Sequence, residues 1–175
     1  YHEIIQIAVV PLDSDFKPLA SVRPFYTRIK PRHPERESVA AKHKHKIPMT
    51  ELLLHAAEAE QVADWLHDWV LALKLPFKKC LVPLAHNWAF ESSFLKAWLG
   101  VAEVDAIFHS HARDGMLYAI SLNDKAAFAG EPVPFPFVGL GAMCKKLGVT
   151  NTNPHDALAD CIAEAEVYHA MLRMF

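Results

Sequence analysis

From Thr50 onward the apolar residues of this chain change period. Val62, Trp65, Leu66, Trp69, Val70 and Leu73 fall at i, i+3, i+4, i+7, i+8 and i+11, one face of a long helix that Leu75-Pro76 ends. Ahead of it the pattern is that of strands. "EIIQIAVVPLD" and "SVRPFYTRIKP" are β-branched or partly alternating, and the polar turn "DSDFKPLA" joins them as an antiparallel hairpin. Behind it, "CLVPLAHN" is a short apolar strand and "FESSFLKAWLG" a helix that Gly100 stops. "DAIFHSHARDG" is expected as a strand running into a turn, and "MLYAISLNDKAAFAG" and "GLGAMCKKLG" as helices. The prolines of "EPVPFPF" force an extended connection between those two. A last helix is expected from Pro154, capped by Asn153, with Leu158, Cys161, Ile162, Ala165 and Leu172 as its apolar stripe. The expected order is β-β-α-β-α-β-α-α-α, an α/β fold with a mixed sheet flanked by helices.

Length and composition bound the rest. At 175 residues and 52% hydrophobic, the chain can bury one sizeable core, so residues 1–175 are expected to form a single domain. The formal net charge of −2 argues against a general polyanion binder, but the charge is uneven: +4 over residues 1–46 and −6 over the remainder. Cys80, Cys144 and Cys161 form no C-x-x-C, which favours a reducing compartment. No apolar run reaches the ~20 residues of a membrane span and no signal pattern is visible, so a cytoplasmic protein without membrane contact is expected.

Two short stretches carry candidate chemistry. In "NTNPHDALAD", His155 and Asp160 are five residues apart, so they do not share a helical face. His155 projects from the start of the helix, and Asp160 sits a turn further in, level with Ala157 and Glu164. In "AHNWAFESSFL", Glu91 stands at the mouth of a strand–helix junction, a usual place for sites in α/β folds. Read singly, the plainer readings are a capped surface helix whose N-terminal dipole Asp156 favours, and Glu91 as an ordinary first-turn acid.

Read together, the stretches resemble the DEDDh family of 3′→5′ exonucleases, which has a ribonuclease H-like fold and includes polymerase proofreading subunits, RNase T and oligoribonuclease. "HEIIQIAVVPLD" looks like that family's second strand. "LAHNWAFESSFL" is similar to its second motif, H-N-x-x-F-D-x-x-F-L, and "HDALAD" matches its third, H-x-A-x-x-D. "HARDGMLYA" looks like the segment that usually reads x-D-T-x-x-L-A. The resemblance implies that Asp160 and Glu91 are metal ligands, Glu91 standing where the family has aspartate. It makes His155 the general base that takes a proton from the attacking water. His86 and Asn87 are placed beside the terminal nucleotide, and Asp114 is not a ligand. The extra methylene of Glu91 moves its carboxylate outward by ~1.5 Å.

The implied reaction is hydrolysis of phosphodiester bonds at the 3′ end of single-stranded DNA or RNA. Its implied cofactor is Mg²⁺ or Mn²⁺ in a two-metal site, because hard oxygen ligands select those ions. A histidine titrating near ~6.5 can accept the proton at neutral pH. The family also carries an initial D-x-E on its first strand. That strand belongs ahead of "HEIIQIA", Glu3 is no substitute, and Asp13 and Asp15 sit in the hairpin turn. With Tyr1 rather than Met as first residue, the expectation is that an upstream strand carries the D-x-E and that residues 1–175 alone bind metal weakly. The alternative is a non-catalytic nucleic-acid-binding or protein-interaction module that keeps the fold.

Other features are expected to be structural. "KHKHK" (residues 42–46) reads as a solvated charged loop, "HSH" (109–111) as a surface pair on one side of a strand, and the stripe with Trp65 and Trp69 as core rather than a base-stacking platform.

Overall fold

The computed structural model describes residues 2–174. Tyr1, on which the sequence reading leaned, and Phe175 lie outside the described residues. The hairpin forms as expected. β1 (Gln6–Val9) pairs antiparallel with β2 (Phe25–Arg28), Ile7 opposite Thr27 and Ala8 opposite Tyr26. Its turn is held by Asp13, whose Oδ1 accepts from Asp15 N at 2.8 Å and Lys17 N at 2.9 Å. Asp13 is therefore spent on the turn.

The charged stretch after β2, whose dense charge and flanking prolines allow either a loop or a short irregular helix, takes the helical form. A 3₁₀ turn at Pro34–Arg36 leads into α1 (Val39–His45), capped by the Ser38 hydroxyl on Ala41 N. Its histidines are occupied locally: His43 Nδ1 lies 2.8 Å from Val39 O, and His45 Nδ1 accepts from Ile47 N at 3.0 Å. α2 (Met49–His55) and α3 (Ala59–Ala72) follow. Val62 and Leu66 of α3 are fully buried, each worth about 1.5–3 kcal/mol of burial. Trp65 departs from the expected core stripe, being 43% exposed. At 100° per residue it lies about 60° from Val62, at the margin of the buried arc, while Trp69 packs on Phe25 at 5.9 Å.

β3 (Leu84–Ala85) opens the second half, followed by α4 (Trp88–Leu99) and α5 (Val101–Ile107). α5 corrects the expected strand at Asp105–Phe108. Gly100, at φ 88°, breaks one helix, and Val104 and Ile107 then recur at helical spacing and are buried. The strand content shrinks to a bridge between Leu81 and Phe108 and to β4 (Arg113–Asp114), parallel to β3 with Asp114 opposite Ala85. His109 and His111 lie outside any strand, with rings 5.1 Å apart and His109 Nδ1 accepting from His111 N.

α6 (Gly115–Phe128), α7 (Leu140–Leu147) and α8 (Ala157–Leu172) complete the chain. The Pro-rich connector between α6 and α7 is anchored, because Asn123 bonds both the N–H and the C=O of buried Phe135. α8 begins later than expected. Asp156, not Asn153, is its cap, accepting from Leu158 N and Ala159 N at 3.1 Å, and His155 at φ 72° interrupts any earlier helix. Its buried side also differs. Ala163, Val167 and Met171 face the core with Glu164 and Ala165, while Ile162 and Leu172 are exposed. The expected stripe followed the largest residues, but the close approach of α8 to its neighbours favours small ones.

The strands form a two-stranded antiparallel sheet and a two-stranded parallel sheet, and α8 packs on both β1 and β3. Two hydrophobic clusters result. One joins the hairpin, α3, α4 and α5, and the other joins α6, α7 and α8. Among the described residues no helix is long and apolar enough to cross a membrane. Cys80, Cys144 and Cys161 are free thiols.

Candidate active site

The polar residues singled out by sequence lie at the β3–α4 junction and at the start of α8. The register of β3 and β4 places Asp114 at the start of α4. Its carboxylate accepts from Asn87 N at 3.2 Å, Trp88 N at 2.7 Å and Leu117 N at 3.0 Å. One aspartate thus caps the N-termini of both α4 and α6, which occupies it as a strut rather than a ligand. Asn87 enters α4 through left-handed backbone at φ 74°, the region that asparagine tolerates best after glycine.

Glu91 follows in the first turn of α4 and is partly buried. Its Oε2 is buried without a hydrogen bond. Burial first, and then the neighbouring charges of Asp114 and Glu164, push its carboxyl up to about 7, against the lowering effects of its own backbone N–H and His86. A carboxylate held that way is costly when charged and unpaired.

On α8, Asp160 is fixed from the preceding loop. Its Oδ1 accepts from Asn151 Nδ2 at 2.7 Å and from His155 N at 3.3 Å. The second bond ties the backbone of His155 to the acid, and left-handed backbone at His155 leaves this residue exposed. The loop is also anchored to the hairpin. Asp156 Oδ2 accepts from Tyr26 Oη at 2.6 Å and Gln6 Nε2 at 2.9 Å, and Gln6 Oε1 accepts from Ala157 N at 2.9 Å. Tyr26, the helix N–H groups and Gln6 hold Asp156 below the usual carboxylate range despite its burial.

The Cys161 thiol is pushed up to about 12 by burial and by the charges of Asp160, Glu91, Glu164 and Asp156. It serves instead as a weak donor, 3.6 Å from Ala8 O. Among the described residues no three His, Cys, Asp or Glu side chains form a group that could hold a metal ion. The orphaned Glu91 oxygen and the Asp160 carboxylate are hard oxygen donors of the kind Mg²⁺ or Mn²⁺ takes. They do not by themselves supply a two-metal cage.

Sequence reasoning missed Glu164. It is 3% exposed, and its Oε2 lies 3.0 Å from His86 Nδ1. Burial pushes the Glu164 carboxyl up. Burial pushes His86 down, but the hydrogen bond and charge of Glu164 outweigh it and hold the imidazole above its ordinary value. The direct contact decides for imidazolium on carboxylate. His86 Nε2 is buried too, so neither ring nitrogen of His86 faces solvent. The available signal was an acid one helical turn beyond Asp160 inside the apolar run "CIAEAEV".

A family model described as an exonuclease, RNase T, matches residues 1–168. Solved structures share the fold. A 3′-exonuclease that recognises the histone mRNA stem-loop superposes with a TM-score of 0.70 at 20% identity, over 98% of this chain and 56% of that one. The nuclease domain of 3′hExo, a DEDDh family member bound to rAMP, gives 0.68 at 22%, over 98% and 82%. Exonuclease I of E. coli with a dT13 oligonucleotide gives 0.67 at 18%, over 94% and 36%. The chain therefore spans about half the length of the first and about a third of the last. No curated protein sequence matches it significantly.

Proposed function

The chain belongs to the RNase T family of exonucleases, and from that premise we propose that it hydrolyses phosphodiester bonds at the 3′ ends of single-stranded nucleic acids with a divalent metal. The observation that carries this reading is the buried, unpartnered Glu91 oxygen at the start of α4. Such an oxygen is stabilised by a cation, and carboxylates favour Mg²⁺ or Mn²⁺. Bound there, the ion supplies Lewis-acid stabilisation of charge on the phosphate.

The chain's own residues supply the rest. Glu91 and Asp160 hold the metal edge of the site. Asn151 and the His155 N–H orient Asp160. His155, exposed on its loop, accepts the proton of the attacking water at its imidazole. Asn87 lies at the α4 mouth, where a terminal nucleotide enters. His86 supports that mouth from inside, since both ring nitrogens are buried in the fold or bonded to Glu164. A second ion would need more carboxylates, such as a D-x-E on a strand beside β1, which among the described residues pairs only with β2. Free thiols support a reducing, cytoplasmic setting.

The test is trimming of a 5′-labelled single-stranded oligonucleotide by the full-length protein with Mg²⁺ or Mn²⁺. A ladder shortening from the 3′ end, abolished by chelator, supports the reading. Metal-independent or internal cleavage refutes it, and tight strand binding without cleavage favours the non-catalytic module.

A further inference from the structure

Glu164 is a charged side chain buried at 3% exposure on the helix that carries Asp160. Its Oε2 meets His86 Nδ1 at 3.0 Å, and His86 stands between β3 and the first turn of α4, which carries Glu91. The two proposed metal carboxylates thus sit on different helices, α4 and α8, which pack into different hydrophobic clusters. The Glu164–His86 contact ties α8 to the β3–α4 junction, while Gln6 and Tyr26 tie the hairpin to the α8 cap. Asp160 and Glu164 are four residues apart, on one face of α8.

The place of Glu164 is reserved by Gly115. A Cβ on that glycine would lie 1.8 Å from Glu164 Oε1, 2.8 Å from Cδ and 3.0 Å from Oε2. Gly115 itself is fixed next to Asp114, which caps α4 through Asn87 and Trp88. Two struts therefore meet at the mouth of α4, one through Asp114 and one through Glu164. The Asp114 strut holds the helix start to β4, and only the Glu164 strut reaches α8.

We infer that Glu164 is a positioning residue: through His86 it sets the separation of the Glu91 and Asp160 carboxylates and so tunes the affinity of the site for its cation. This rests on the metal site proposed above. Residues that orient ligands without touching the metal typically contribute 10–100-fold in metal affinity.

The experiment titrates Mn²⁺ into the full-length protein by electron paramagnetic resonance, without nucleic acid, and measures thermal unfolding of each variant in parallel. Glu164→Ala is expected to weaken Mn²⁺ binding about 10-fold or more. Glu164→Gln, whose amide oxygen still accepts from Nδ1–H, is expected to recover most of it. Gly115→Ala, which drives the carboxylate off His86, is expected to weaken binding as Glu164→Ala does. In the double variant Gly115→Ala/Glu164→Ala the clash is gone, so the loss should not exceed that of Glu164→Ala alone. Trimming by Glu164→Ala should recover at raised Mn²⁺. Wild-type affinity in Glu164→Ala, or a lowered melting temperature with an unchanged Mn²⁺ Kd, overturns the inference and leaves the metal site standing. Fully additive losses in the double variant also overturn it. A wild-type protein that binds no Mn²⁺ removes the metal site itself, and this inference with it.

Discussion

Glu91 keeps one buried carboxylate oxygen without a hydrogen bond, and its carboxyl is pushed up to about 7 by burial and the acids around it. The unfolded chain would lose that proton near 4.5, so between these values the folded state binds more protons. The stabilising contribution is full below about 4.5 and is lost as the pH rises through about 7. Metal-free protein should therefore melt at lower temperature as pH climbs through this window, and Glu91→Gln should flatten the dependence. Thermal melts in chelator at a series of pH values check it. Binding of a cation must displace the same proton, so Mn²⁺ affinity should rise across the window. Glu91→Asp restores the residue the family uses there, and Mg²⁺-dependent trimming should be preserved or raised. Complete loss would show a site adapted to glutamate. In the proposed mechanism His155 contributes proton transfer rather than coordination. His155→Ala should lose at least ~100-fold in rate while Mn²⁺ binding changes little. Near-wild-type trimming by that variant would remove the assigned base.

At the level of elements, the hairpin does more than pair its own strands. Gln6 on β1 and Tyr26 on β2 grip Asp156, the cap of α8 and neighbour of His155. Tyr26→Phe should cost about 1 kcal/mol, the value of a hydrogen bond, and Gln6→Ala more, since it also frees Ala157 N. Denaturant unfolding measures both. Equal stability of Gln6→Ala and wild type would mean that the clamp is slack. The hairpin, α3 and α4 could be read from the chain because period, turn polarity and Gly100 agree there. The failures have physical causes. Asp105–Phe108 is rich in strand-forming residues, yet Val104 and Ile107 bury better at helical spacing after Gly100. The start of α8 was misplaced because Pro154 imitates a first helical residue, while the Asp156 carboxylate makes the stronger cap. The buried face of α8 was misjudged because alanines and a glutamate, not leucines, let it approach β1 and β3.

Across the molecule, Glu91 lies on α4, which packs into one hydrophobic cluster, and Asp160 on α8, which packs into the other. His155, Asp160 and Glu91 are candidates by motif, and the structure places them at the ends of α8 and α4 where the motif expects them. Glu164 could not be picked out, because its partner is 78 residues away in sequence and only the fold joins them. The most direct measurement is anomalous diffraction from crystals of the protein grown with Mn²⁺ and a 5′-mononucleotide. The predicted result is a manganese peak about 2.1 Å from carboxylate oxygens of both Glu91 and Asp160, with the nucleotide phosphate on the same ion. A manganese peak that touches neither carboxylate, or the two carboxylates turned to opposite faces of the fold at saturating Mn²⁺, would contradict it.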